Sequence, residues 1–141
     1  MLTIEPTGEV LGATVRGLDL AQPLDEGDMG RILLALGRHG VLRFPDQHLD
    51  LASLKRFSEL FGEIQRNPIR DADPAREYPE IGILSNLKED GKYIGSLDAG
   101  QDWHTDMTYR EVPGFVNVLY GIRIRFNSNH SPDGTSSRWH Q

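Results

Sequence analysis

The chain has 141 residues, no cysteine, and a formal net charge of −6 from 15 Lys and Arg against 21 Asp and Glu. That length has room for one domain around one modest core. The acidic balance, with no Lys/Arg stripe, speaks against nucleic acid and anionic membranes as partners, and the lack of cysteine excludes disulfides, thiolate zinc sites and cysteine nucleophiles.

Any metal must therefore be held by nitrogen and oxygen ligands. The opening Met1-Leu2-Thr3-Ile4-Glu5-Pro6 has neither a basic start nor a long apolar run, and no stretch approaches bilayer length. The expectation is a cytoplasmic protein that neither binds nor crosses a membrane.

In chain order, residues 9–16 read as a short strand ended by Gly17. Asp25 is placed to cap a helix in which Met29, Ile32, Leu33 and Leu36 recur at helical spacing, and Gly40 closes it. Residues 41–44 form a short apolar strand candidate stopped by Pro45. Asp50 then caps a second helix with an apolar face of Leu51, Leu54, Phe57 and Phe61, ending at Gly62.

Residues 63–80 are polar and proline-punctuated, which predicts a long loop. A strand is expected at 81–84, a turn at Asp90-Gly91 between Leu87 and Tyr93, a glycine-rich mobile stretch at 95–102, and a last strand at 115–124. Residues 126–141 have no period, almost no aliphatic residues and many turn formers, so a disordered polar tail is expected there. Neither an internal repeat nor a second domain is evident.

One triplet carries chemistry. In His104-Thr105-Asp106, residues i and i+2 of an extended segment point to the same side. One imidazole and one carboxylate can then bind one face of a metal, and a distant second histidine would complete the facial triad that leaves positions open on iron(II). The spacing alone is weak, since five histidines and 21 acids produce about one His-x-Asp/Glu match by chance. A second match does occur, His48-Leu49-Asp50, but there Asp50 is already accounted for as a helix cap.

The surroundings separate the two. Trp103-His104-Thr105-Asp106-Met107-Thr108-Tyr109, then Glu111-Val112-Pro113 and an apolar run, resembles the metal motif of TauD/TfdA dioxygenases. The opening (Pro6, Gly8, Gly12-Ala13, Gly17, Asp19-Leu20, Pro23-Leu24) resembles that family's N-terminal strand and turn. Arg38-His39-Gly40-Val41-Leu42-Arg43-Phe44 with Asp46-Gln47 is similar to its helix-to-strand step, and Phe57-Ser58-Glu59-Leu60-Phe61-Gly62-Glu63 to the end of its second helix. The matches are collinear from about Ile4 to about Ile124.

The resemblance implies an α+β chain, the N-terminal portion of a double-stranded β-helix (jelly-roll) core with flanking helices. It implies an oxidoreductase that uses iron(II), with 2-oxoglutarate and oxygen as co-substrates. The products are succinate, carbon dioxide and a hydroxylated small molecule. His104 and Asp106 map onto two iron ligands and are the catalytic candidates. Trp103 is expected as a packing wall beside the metal rather than a participant.

Asn67, Arg70, Asn86 and Tyr109 are the candidate substrate contacts. Three have a plainer reading: a solvated charge for Arg70, a turn for Asn86, core or pocket lining for Tyr109. Asn67 stands where a sulfonate-binding member has a substrate-contacting histidine, and Arg70 where that member has a tyrosine. This argues against taurine as substrate and leaves other small carboxylates, sulfonates, sulfates or aryloxy acids open.

The family pattern stops abruptly. Its third ligand histidine and the arginine that clamps 2-oxoglutarate have no match here, and His130 and His140 lie in the polar tail. Residues 1–125 are thus expected as the N-terminal part of a dioxygenase domain and 126–141 as an unrelated tail, from a frame change or a truncation. Alone, such a chain is expected to be inactive. The rival readings are a non-catalytic binding or oligomerisation module built on the same elements, and a small metalloprotein completed by a tail histidine. Homo-oligomerisation stays open.

Overall fold

The computed structural model describes residues 1–8, 10–65, 77–96, 103–106 and 108–123. These residues contain helices and strands in the order β1 (Thr3–Pro6), β2 (Ala13–Arg16), α1 (Glu26–His39), β3 (Leu42–Arg43), α2 (Leu51–Glu59), β4 (Lys88–Glu89) and β5 (Lys92–Tyr93). The chain divides into two units: Met1–Phe57 with the segment from Val118, and Ser58–Asn117.

In the first unit β1, β2 and β3 form one sheet in that order. β1 pairs antiparallel with β2, Thr3 opposite Arg16 and Pro6 opposite Ala13. The Thr7 N–H closes the connection by donating to the Gly12 carbonyl at 3.0 Å. β2 runs parallel to β3, with Ala13 opposite Leu42 and Thr14 opposite Arg43. A parallel pair needs a crossover, and α1 supplies it. As the central strand β2 is buried at Ala13, Thr14 and Val15, whereas the edge strand β1 is largely exposed and ends on Pro6, whose missing N–H costs no ladder bond there.

The strand expected at 9–16 is shorter than the sequence suggests. Gly12 has φ +91°, Val10 and Leu11 are exposed, and residue 9 lies outside the described residues. The chain is still turning at Gly12, so pairing starts only at Ala13.

α1 begins where its cap predicts. The Asp25 carboxylate accepts the Asp28 N–H at 2.7 Å, meeting one of the orphan donors of the first turn. At the other end Gly40, at φ +70°, donates its N–H to the Leu36 carbonyl at 2.8 Å. The helix buries Ile32 and Ala35; Leu33, expected on the apolar face, is exposed. The packed set is Leu2, Ala13, Val15, Leu20, Ile32, Ala35 and Phe57. Phe57 meets Phe44 edge-on, with ring centroids 5.6 Å apart at 75°.

Polar side chains tie the loops to this core. Gln47 accepts the Leu20 N–H at 2.8 Å and donates to the carbonyls of Leu18 and Pro45 at 3.1 and 3.0 Å. The Tyr120 hydroxyl accepts the Leu49 N–H at 3.1 Å and donates to the Gln47 carbonyl at 3.2 Å. Arg31 donates to the Leu2 carbonyl at 2.8 Å.

α2 starts at its expected cap, Asp50, whose carboxylate accepts the Ser53 N–H at 2.7 Å. The Ser53 hydroxyl and backbone N–H together hold the Asp50 carboxyl below its usual value, with help from the Arg56 charge and against slight desolvation. The helix ends at Glu59 rather than running to Phe61; Phe61 and Gly62 donate back to Ser58 and Glu59 as turns. Its buried residues are Ser53 and Phe57, while Leu51 is exposed. Ser53 tolerates burial because Asp50 and Arg56 both engage it.

In the second unit β4 and β5 form a hairpin about Asp90-Gly91. Both turn residues have positive φ, 49° and 77°, the signature of a tight type I′ connection. The strand expected at 81–84 is instead a single parallel bridge, Leu84 to Ser96. Ser96 donates to the Ile83 carbonyl at 2.9 Å. Gly95 permits this approach, since a Cβ there would sit 2.5 Å from the Ile83 carbonyl oxygen.

The last expected strand, 115–124, is also corrected. Residues 115–123 are not in any ladder, and Ile124 lies outside the described residues. Val116, Val118 and Tyr120 are half-buried while Phe115, Asn117 and Leu119 are exposed. The period-2 alternation of a strand is therefore kept, but a strand also needs a partner backbone, and the sequence cannot supply that. Residues 63–65 and 77–80 carry no helix or strand, in keeping with the expected loop; the rest of that loop, the 97–102 part of the glycine-rich stretch and the 126–141 tail lie outside the described residues.

The described residues are thus α+β, with one three-stranded sheet and one two-stranded hairpin. No described helix is long and apolar enough to cross a membrane.

Candidate metal centre

The second unit holds the His104-Thr105-Asp106 triplet. Its chain has no regular secondary structure, yet the i, i+2 relation expected of an extended segment is realised. His104 Nε2 lies 3.3 Å from Asp106 Oδ1. The side chains are half exposed, at 49% and 56%, so both can reach a ligand from solvent.

Two contacts hold the turn that follows. The hydroxyls of Thr105 and Thr108 are 3.1 Å apart. Asn117 donates from Nδ2 to the second carboxylate oxygen, Asp106 Oδ2, at 2.7 Å. A nearby chain segment is anchored by Gln65, whose Nε2 donates to the Val112 carbonyl at 3.0 Å. Its Oε1 is buried and without a partner among the described residues.

The donor chemistry suits a divalent metal. Metal–ligand bonds of about 2.1 Å at right angles place two donors about 3 Å apart, close to the observed 3.3 Å. An imidazole nitrogen and a carboxylate oxygen suit divalent first-row metals, iron(II) among them, rather than the soft ions that thiolates favour. Among the described residues no group of three or more His, Asp or Glu side chains is assembled. The pair is thus the described part of any such site; His130 and His140 lie outside the described residues.

The other predicted residues fall as follows. Asn86 is exposed, between Ser85 and Leu87, where the Leu87 N–H donates to Ser85 Oγ at 3.0 Å. Tyr109 is exposed, so it is not core. Trp103 is exposed among the described residues rather than packed as a wall. Asn67 and Arg70 lie outside the described residues. At the competing His48-Leu49-Asp50 match, the Asp50 carboxylate is engaged by Ser53, as a cap should be.

Asn117 and Gln65 were missed by sequence reasoning. Gln65 left no signal. Asn117 left one: a lone amide inside the apolar run Phe115-Val116-Asn117-Val118-Leu119.

A family model described as "Taurine catabolism dioxygenase TauD, TfdA family" matches residues 3–125. The chain is 36% identical over 122 residues to an (S)-phenoxypropionate/alpha-ketoglutarate-dioxygenase of Delftia acidovorans, covering 79% of this chain and 38% of that protein. It is 30% identical over 127 residues to an alpha-ketoglutarate-dependent sulfate ester dioxygenase of Pseudomonas putida, covering 86% of this chain and 37% of that protein. To pentalenolactone F synthase of Streptomyces arenae it is 32% identical over 123 residues, covering 85% of this chain and 40% of that protein. The chain therefore spans well under half the length of each of these relatives.

Proposed function

The chain belongs to the taurine catabolism dioxygenase TauD, TfdA family, and from that premise we propose that it carries part of the active site of an iron(II)/2-oxoglutarate-dependent dioxygenase. Its relatives include alpha-ketoglutarate-dependent dioxygenases acting on phenoxypropionate and on sulfate esters. The overall reaction converts substrate, 2-oxoglutarate and oxygen to hydroxylated product, succinate and carbon dioxide. The observation that carries the reading is the closeness of His104 Nε2 and Asp106 Oδ1, 3.3 Å apart within the family-matched region.

In this reading His104 offers a neutral nitrogen lone pair and Asp106 a negative oxygen to one face of the metal. Held there, iron(II) would supply the redox chemistry that couples 2-oxoglutarate and oxygen. The Thr105–Thr108 contact holds the turn that carries both ligands. The substrate is a small organic anion, with Arg70 as its charge partner and Asn67, Asn86 and Tyr109 as further contacts. Residues 1–125 are the N-terminal part of a jelly-roll dioxygenase domain, and 126–141 are a polar segment outside it; the family match ending at residue 125 supports that division.

By itself the 141-residue chain is proposed to lack turnover. Two protein ligands leave the metal held mainly by water, and losing a ligand removes both affinity and aim. The catalytic reading is tested in a version extended to the relatives' length by following 2-oxoglutarate conversion to succinate. His104→Ala and Asp106→Ala should each abolish it, and His48→Ala should leave it nearly intact. Full activity in either of the first two variants would sink the assignment. Iron-dependent succinate formation by the 141-residue chain would show that a tail histidine completes the site.

A further inference from the structure

A carboxylate that binds a metal has two oxygens and a soft torsion about its last bond, so either oxygen, or both, can turn to the ion. At Asp106 that choice is already made. Oδ2 accepts the Asn117 amide N–H at 2.7 Å, while Oδ1 is the oxygen that faces His104 Nε2. The contact is at the short end for an N–H donor on a charged acceptor, and it joins positions 11 residues apart in sequence. A carboxylate only accepts, so the amide nitrogen must be the group that faces it.

We propose that Asn117 is a positioning residue for Asp106, occupying Oδ2 so that Oδ1 is presented beside His104 as a single-oxygen metal donor. The inference rests on the metal reading given above. A neutral amide suits the task better than Lys or Arg. It fixes the torsion without placing a positive charge that would compete with the cation for the same carboxylate. The alternation of residues 115–120 also places Asn117 on the exposed side of its segment, between Phe115 and Leu119. An amide among apolar neighbours there has no packing purpose of its own. Partners of this kind, one bond removed from the metal, set ligand orientation and so affinity.

The test measures Mn(II) uptake by the chain extended to the relatives' length from the loss of the free-ion EPR signal, comparing wild type with His104→Ala, Asn117→Leu and Asn117→Gln. Leu keeps the shape of Asn without its donor; Gln keeps the amide. Asn117→Leu should weaken Mn(II) binding about tenfold or more, and Asn117→Gln should recover most of the loss. The metal-free melting midpoint should be the same in all. Wild-type affinity in Asn117→Leu, with binding lost in His104→Ala, would overturn the positioning role alone. Gln as weak as Leu would overturn it too, because the donor would not be what matters. No Mn(II) uptake by wild type, or undiminished uptake by His104→Ala, would overturn the metal reading and this inference together.

Discussion

The two units of this chain are stabilised in different ways. Every buried residue among those described lies within Met1–Phe57, where α1 and the three-stranded sheet enclose Val15, Ile32 and their neighbours. Within Ser58–Asn117 no described residue is buried. There the chain is shaped by a hairpin turn, a glycine-enabled close approach, two threonine hydroxyls and two amide side chains. The first unit is held by apolar area removed from water; the second is held by hydrogen bonds, each worth little net when water competes. The His104/Asp106 pair belongs to the second kind. Its geometry is set by polar contacts, and Trp103, Tyr109 and Phe115 of this unit are exposed. The proposed metal site thus lies in the unit whose described residues are all half-buried or exposed, as suits side chains that must open to a ligand.

That contrast can be broken most directly in the core. Ile32 has no exposed surface, so Ile32→Ala should cost about 2–5 kcal/mol. Leu34, two residues on and 77% exposed, should cost within about 0.5 kcal/mol on the same change. Chemical denaturation followed by helical circular dichroism would read both. Similar costs would mean that the packed set is misidentified.

A smaller effect should stay confined to the second unit. Gly91 has φ +77° at the second turn position of the hairpin, where a Cβ costs about 1–2 kcal/mol. Gly91→Ala should speed amide exchange at Ile94, whose N–H donates to the Leu87 carbonyl at 3.1 Å, while the melting midpoint of the first unit stays put. A midpoint that falls with it would show that the two regions share one cooperative transition.

The smallest effect sharpens the boundary at the start of α2. The folded-state value of Asp50 is lowered by Ser53, so its stabilisation is fully present above the ordinary carboxylate value. It is lost as pH falls through the lowered folded-state value. Amide protection at Ser53 and Leu54 should therefore decline in acid. Asp50→Asn, a neutral residue that still caps well, should flatten that decline without removing the helix. A decline of the same size in Asp50→Asn would assign it to other carboxylates.

What the sequence determined was what neighbours in the chain decide among themselves. The caps at Asp25 and Asp50, the glycine stop at Gly40 and the Asp90-Gly91 turn all act over four residues or fewer, and each is found where its residue type places it. The His104/Asp106 pairing is legible for the same reason, since i and i+2 meet on any extended chain. Tertiary structure decided everything that needs a distant partner. Residues 81–84 and 115–123 have strand-like composition and, in the latter, strand-like alternation, yet ladders form only where another backbone lies alongside. β2 is buried on the strength of β1 and β3, which flank it from both directions in sequence. Ser53 rather than Leu51 is buried in α2 because polar partners are in reach. Asn117 reaches Asp106 across a loop that no local rule describes. Local hydrogen-bond geometry is written in adjacent side chains, whereas pairing and burial are properties of two surfaces meeting, and a single stretch of sequence holds only one of them.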